Sequence, residues 1–446
     1  MKQISLSILL TLLMSMAGIK AFAYDIEVEN ADGVTIYYNY INDGTELEVT
    51  FKNSDYNINM YAYVDNVVIP EEVSYMSRTR KVTSIGDHAF FYCSSLTSVT
   101  IPNSVTSIGS FAFRDCYSLT SVTIPNSVII IKNNAFYLCG ALKSLILEDG
   151  TEELDLQTSS MSPAEFSGCP IEYLYYGRNT QLNHHYDTFS GKPIKTLVIG
   201  SYITSIPSLN SENLKSIIVK DDNEILDSRE DCNAIINSIS NELIKGCSTS
   251  TIPNTVTSIG ASAFYKCSNM SSVTIPNSVT NIDRSAFSQT GLTNVTIPNG
   301  VITIGDGAFS RCQSLVSVII GNGVTTIGDF AFSNCPELKN VFCYAEEPPK
   351  AASYTFLYTD FVYGRKIDGT LHVSENSINK YKDAEPWKDF KIIVALTDKE
   401  TGVNVMKNEN VAPSDYYFLN GQQVGKSRKG LNIIKIGNKA MKVLIK

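Results

Sequence analysis

The 446-residue chain contains one tryptophan and four histidines, and it has no H-E-x-x-H, no C-x-x-C and no G-x-S-x-G. The spacings that place a zincin metal, a thioredoxin-type dithiol or a hydrolase nucleophile are therefore missing. His88 and His372 stand singly between repeat letters, and His184-His185, adjacent on a chain whose strand neighbours face opposite ways, has no ligand-spaced partner. The carboxylate pairs Asp221-Asp222 and Glu346-Glu347 fall in predicted loops and read as solvated. Gly321-Asn322-Gly323 with Gly328 lacks the dinucleotide spacing and repeats a turn found elsewhere as Pro-Asn-Ser and Gly. These absences point to a protein without catalysis, metal or cofactor. The net charge of -9 argues against nucleic acid as a partner. Beyond residue 23 no apolar run approaches the ~18 residues that mark a membrane span.

The chain does contain one sentence, repeated. Val82 to Ser104 reads V-T-S-I-G-D-H-A-F-F-Y-C-S-S-L-T-S-V-T-I-P-N-S, Val105 to Ser127 nearly restates it, and Val128 to Gly150 keeps its apolar skeleton. The pattern returns at Val256, Val279, Val301 and Val324, in steps of 23, 22 and 23 residues. A period in the low twenties containing L-x-x-V-x-I predicts a leucine-rich-repeat solenoid of about a dozen coils, an α/β fold with a parallel β-sheet on one face. Val82, Ile85, Ala89, Phe90, Cys93, Leu96, Val99 and Ile101 should point inward, with Ser98 to Ile101 as the strand. The column of Gly86, Gly109, Gly260, Gly305 and Gly328 implies a turn with positive φ or close backbone approach. The return arm through A-F-x-x-C is expected to be short and helical or irregular.

Ten cysteines in an exported chain would normally suggest disulfides. Here Cys93, Cys116, Cys139, Cys169, Cys267, Cys312 and Cys335 share one inward column, where Thr290 stands in once, so they read as small buried packing residues. Cys232 and Cys247 lie outside it and are the pair to test for a bridge.

In chain order, Lys2, the apolar run Ile4 to Met16 and Ala21-Phe22-Ala23 form a signal peptide (1–23), cleaved before Tyr24. Residues 24–62 read as a hairpin cap: Val34, Ile36, Tyr38 and Tyr40, the turn Asn42-Asp43-Gly44, then Leu47, Val49 and Phe51. The solenoid spans 63–344 and is irregular over 151–255, where Ala234 to Ile236 and Leu243-Ile244 suggest an inserted hairpin. Residues 345–396 close the stack with a strand at Thr370 to Val373 and a helix from Asn376 to Phe390 bearing Trp387. A polar linker (397–410) leads to a β-rich, basic tail (411–446).

The repeated sentence, intact at Ile101 to Thr123 and from Ile252, resembles the BspA-like leucine-rich-repeat family of bacterial surface proteins. Asp227 to Cys247 is similar to an insertion of that family and Ala384 to Phe390 to its closing motif. Tyr416 to Lys446 resembles, in abbreviated form, the C-terminal sorting domain of type IX-secreted proteins. The resemblance implies an exported, non-enzymatic protein at the cell surface, outer membrane or outside, that adheres to host matrix proteins or other cells.

Residues flanking the central V of L-x-x-V-x-I point outward. Most coils place Ser, Thr or Asn there, whereas the irregular region offers Ile146, Tyr173 with Tyr175, Val198 and Ile218. This apolar, tyrosine-bearing patch is the candidate ligand-binding site, for a protein or alternatively a glycan. The competing reading is ordinary core, covered by the 221–247 hairpin.

Overall fold

The computed structural model describes residues 24–52, 62–157, 165–182, 188–207, 209–360, 364–366 and 369–397, with the strands 415–417, 423–424, 430–436 and 439–445. The expected signal peptide, His184-His185 and most of the expected 397–410 linker lie outside the described residues. The chain forms two compact units, the first of residues 1–209 with 219–224 and the second of residues 210–218 with 225–446.

Most coils carry two strands, not the single one expected. The L-x-x-V-x-I segments give strands such as Ser121–Ile124, Ser144–Leu147, Tyr173–Tyr176 and Thr196–Ile199, parallel and in register in the first unit. The V-T-S-I segments give a second parallel row of short strands, among them Ser107–Ile108 and Ile130–Ile131. The second unit repeats this with Asn294–Ile297, Ser317–Ile320 and Asn340–Cys343 in one row and Ser258–Ile259, Asn281–Ile282, Thr303–Ile304 and Thr326–Ile327 in the other. Ser and Thr alternating with Val and Ile suit such rows, since every second side chain is buried. Val105, Ile108, Leu119 and Ile124 are all fully buried.

The return arm is irregular, built of successive turns. Seven arms hold two residues with positive φ four apart, such as His88 (61°) and Tyr92 (60°) or Ser285 (55°) and Gln289 (59°); glycine fills one of these positions at Gly307, and the second position of two further arms at Gly168 and Gly191. That geometry costs an L-residue ~1 kcal/mol or more. It is offset by hydrogen bonds to the next coil: the N–H groups of His88, Phe90 and Tyr92 donate to the carbonyls of Ser110, Ala112 and Arg114 at 3.0, 2.7 and 2.8 Å. The Gly86 column serves close approach: none of its members has positive φ, and a Cβ on Gly109 would lie 2.5 Å from the Asp87 nitrogen.

The cysteine column is buried and its thiols are free, as are Cys232 and Cys247. Packing is only part of its role. The thiols of Cys116, Cys139, Cys169, Cys312 and Cys335 donate to the carbonyl of the phenylalanine one coil back, at 3.0–3.2 Å. Thr290 fits the column because its hydroxyl is also a donor, to Phe287 O at 2.9 Å.

Both units open on an antiparallel meander. In the first, Ile26–Glu29, Thr35–Ile41 and Glu46–Thr50 pair in sequence and the last runs parallel to Arg78–Ile85. In the second, Leu226–Asp227, Ile235–Asn237 and Glu242–Lys245 do the same before Ser258–Ile259. The inserted hairpin is thus the opening cap of a second stack. The closing element consists of Thr370–Val373, a short helix Ile378–Asp383, a turn of 3-10 helix at Trp387–Asp389, and a further parallel strand Ile392–Ala395. The helix is shorter than expected because Pro386 disfavours helical geometry in the preceding residue. The tail strands form an antiparallel sheet.

Candidate functional site

In the first unit the register sets Thr123, Ile146, Tyr175 and Val198 side by side on successive rungs, with Ser144, Tyr173 and Thr196 as the neighbouring column. Their inward neighbours Leu145, Leu174 and Leu197 are fully buried, which fixes the other column outward. Ile146, Tyr173 and Tyr175 are half-buried. Val198 is only 7% exposed and adds little surface, contrary to its expected place in the patch. Ile218 is 48% exposed and belongs to the second unit. The structure therefore gathers Ile146, Tyr173 and Tyr175 on one face, with Val198 beneath its surface.

Residues not singled out from sequence hold this face. The Tyr175 hydroxyl donates to the Asp149 carboxylate, whose other oxygen accepts the Ser201 N–H at 3.0 Å. Burial, then the adjoining Asp149 carboxylate, pushes the Tyr175 phenol above its ordinary range, so it stays a donor. The Lys220 ammonium lies 6.0 Å from the Tyr175 ring centre. Along the opposite margin Glu172 accepts from Lys195 at 2.7 Å and faces Lys143 at 3.9 Å, and these contacts lower its carboxyl pKa. The signal for Asp149 was legible: the third copy replaces I-P-N-S by L-E-D-G immediately after the strand. Arg178 gave no such signal. Fully buried, it donates to the carbonyls of Asn126, Val128 and Pro125 at 2.9, 2.6 and 2.9 Å, closing the turn of an earlier coil.

This arrangement can bind through apolar contact, ring edges and hydrogen bonds. Burial pushes the Cys93 and Cys267 thiols up to about 12, far from the thiolate that reacts.

Repeated coils, two parallel strand rows and a phenylalanine-filled core define a leucine-rich-repeat β-solenoid. The chain belongs to the BspA-type leucine-rich-repeat family, whose model matches six copies over residues 57–181 and 237–359, more than half of the sequence. No curated protein matches it. Among solved structures, the chain is similar to the pneumococcal vaccine antigen PcpA (15% identity, TM-score 0.45, covering 84% of this chain and 100% of that one). It is also similar to a leucine-rich cell surface protein of Faecalibacterium prausnitzii (24%, 0.37, 72% and 95%) and a leucine-rich-repeat protein of Bacteroides ovatus (22%, 0.31, 76% and 100%). Among the described residues no helix is long and apolar enough to cross a membrane.

Proposed function

We propose that this chain is exported and acts at the cell surface as a recognition module, adhering to a host matrix protein or another cell through its strand face, without chemistry. The observation that carries the reading is the half-buried pair Tyr173 and Tyr175 on a face where the regular coils present Ser, Thr or Asn, since exposed tyrosine marks interfaces. Surface placement is tested by treating intact producing cells with protease, with and without residues 411–446. Degradation that disappears with the tail supports export through a tail signal. Protection in both cases removes the adhesion reading.

A glycan ligand is the second reading, favoured by Asp149, which pins the Tyr175 ring beside a carboxylate as a sugar platform requires. Tyr173→Ser with Tyr175→Ser, assayed against a matrix-protein panel and a glycan array, separates the two. Loss of protein binding at an unchanged melting temperature supports recognition of protein. Loss of glycan binding alone supports the platform, and a lowered melting temperature with binding intact makes the pair core.

A further inference from the structure

The last strand of the second unit leaves its stack unfinished. Ile392–Ala395 runs parallel to Thr370–Val373, with Ile393 opposite Leu371 and Ala395 opposite Val373. On the rungs before it the inward side chains Val318, Ile320, Val341, Cys343, Leu371 and Val373 are all fully buried. Here Ile393 and Ala395 are only half-buried, Ile392 is 53% exposed, and no residue of the run Ile392-Ile393-Val394-Ala395-Leu396 is fully covered. The strand is also the last of its sheet, and among the described residues no strand pairs along its outer edge. Unpaired backbone groups beside an uncovered apolar run make an edge that takes up another strand.

The other half of the same end is closed. The ring of Phe356, which continues the phenylalanine column, lies 5.2 Å from those of both Trp387 and Phe390, and Tyr381, Trp387 and Phe390 are buried. The closing element thus covers the core on the side of the return arms and leaves it open on the side of the strands.

The tail has the complementary features. Its strands lie in the order Gln423–Val424, Asp415–Tyr417, Gly430–Ile436, Lys439–Ile445, so the seven-residue Lys439–Ile445 is an edge as well, paired among the described residues only with Gly430–Ile436. The register places Val424, Tyr416, Ile434 and Met441 in one row across the sheet, with Ile436 and Val443 on the same face. Asp415, Gln423, Lys435 and Lys442 fall on the opposite face. A sheet with one apolar face and no helix among its described residues needs a further layer or strand to cover that face. Residues 398–414 join Thr397 to Asp415 and extend to at most about 55 Å, chain enough for the tail to reach the last rung. Such a tether keeps the two edges at an effective concentration on the order of millimolar, which a second copy in dilute solution does not match.

We propose that Lys439–Ile445 adds to the outer edge of Ile392–Ala395 as a further strand, so that the tail sheet continues the solenoid and its apolar face closes the strand side of the core. The contact joins two segments of one chain and is independent of the recognition reading. It seats the tail at the end of the stack and withdraws from other chains the edge most open to them. Hydrogen exchange on the full mature chain tests it. All amides of 392–396, including the alternate ones that face away from Thr370–Val373, should exchange slowly, and their protection should not change on dilution. Val443→Asp, which puts a charge on the apolar face of the tail, should speed exchange at 392–396 about tenfold or more, and Ile393→Asp should do the same at alternate amides of 439–445. Exchange at 317–320 should be unchanged in both variants, which shows the stack still folded. Fast exchange at 392–396 in the unsubstituted chain would overturn the proposal, as would protection lost on dilution, the mark of a second copy. Protection at 392–396 that survives Val443→Asp, or exchange at 439–445 indifferent to Ile393→Asp, would equally overturn it.

Discussion

The two units build the same core with different regularity. In the second, Phe264, Phe287, Phe309, Phe332 and Phe356 stack with centres 5.0, 5.1, 5.3 and 5.4 Å apart and planes within 2–6°. In the first, the column from Phe90 begins at 4.8 Å and 8°, but the step from Phe166 to Phe189 widens to 6.3 Å and 22°. Near-identical coils superpose their side chains and pack by repetition alone. Where letters diverge, buried polar side chains take over: Arg178 on three carbonyls, and Asn223 donating to Gly200 O and Ile203 O at 2.8 and 3.0 Å. Loss of repetition is thus answered by specific long-range hydrogen bonds, which are more vulnerable to single changes.

That contrast can be broken most sharply at Arg178. Burial lowers its pKa only to about 10, so it is charged at neutral pH. Arg178→Ala should strand its carbonyl partners and cost the first unit ~3–5 kcal/mol, read as lost hydrogen-exchange protection around residues 125–131. Arg178→Lys should not restore it, because one ammonium cannot span the fork of carbonyls. The second unit should depend comparably on Trp387, which is fully buried, with its ring centre 5.2 Å from that of Phe356 in a tilted pair, and donating to Pro349 O at 2.9 Å. Trp387→Ala should cost ~3–5 kcal/mol, with exchange rising across 340–395.

A smaller effect belongs to Glu165 in the first unit. It is fully buried, accepts from Thr188 at 3.4 Å, and burial raises its carboxyl from 4.5 to about 7. Unfolded, it ionises near 4.5; folded, it holds its proton until about 7. The folded state therefore binds more protons in that window, and its stability falls as pH rises through it, by at most ~3 kcal/mol. Glu165→Gln should flatten the urea midpoint between these pH values and raise it at neutral pH. The smallest effect tests the cysteine column. Cys139→Val, without a donor for Phe113 O, should cost ~1 kcal/mol, and Cys139→Thr less. Thr290→Val in the second unit should match the former, by thermal melting.

The sequence was legible where it repeated. The strand letters at Ile171, Ile194 and Leu214 yielded the strands Tyr173–Tyr176, Thr196–Ile199 and Ser216–Val219 even where the repeat had decayed. The V-T-S-I row was missed because two residues are too few to show a period. The positive-φ positions of the arms were missed because most of them are held by residues other than glycine, their usual marker. At the candidate site, outward alternation located Ile146, Tyr173 and Tyr175 correctly. Alternation says nothing of cover, and so it overstated the exposure of Val198.

What the sequence determined by itself is the coil, because a period of about 23 residues with buried letters at set positions leaves each unit no way to bury its apolar face except against a copy of itself. What only the tertiary structure decided is where the stack restarts and what each outward column presents. Those depend on which strand the Glu242–Lys245 segment pairs with, on Asp149 reaching Tyr175, and on His372 lying over Phe342, contacts between residues far apart in the chain that no local pattern encodes.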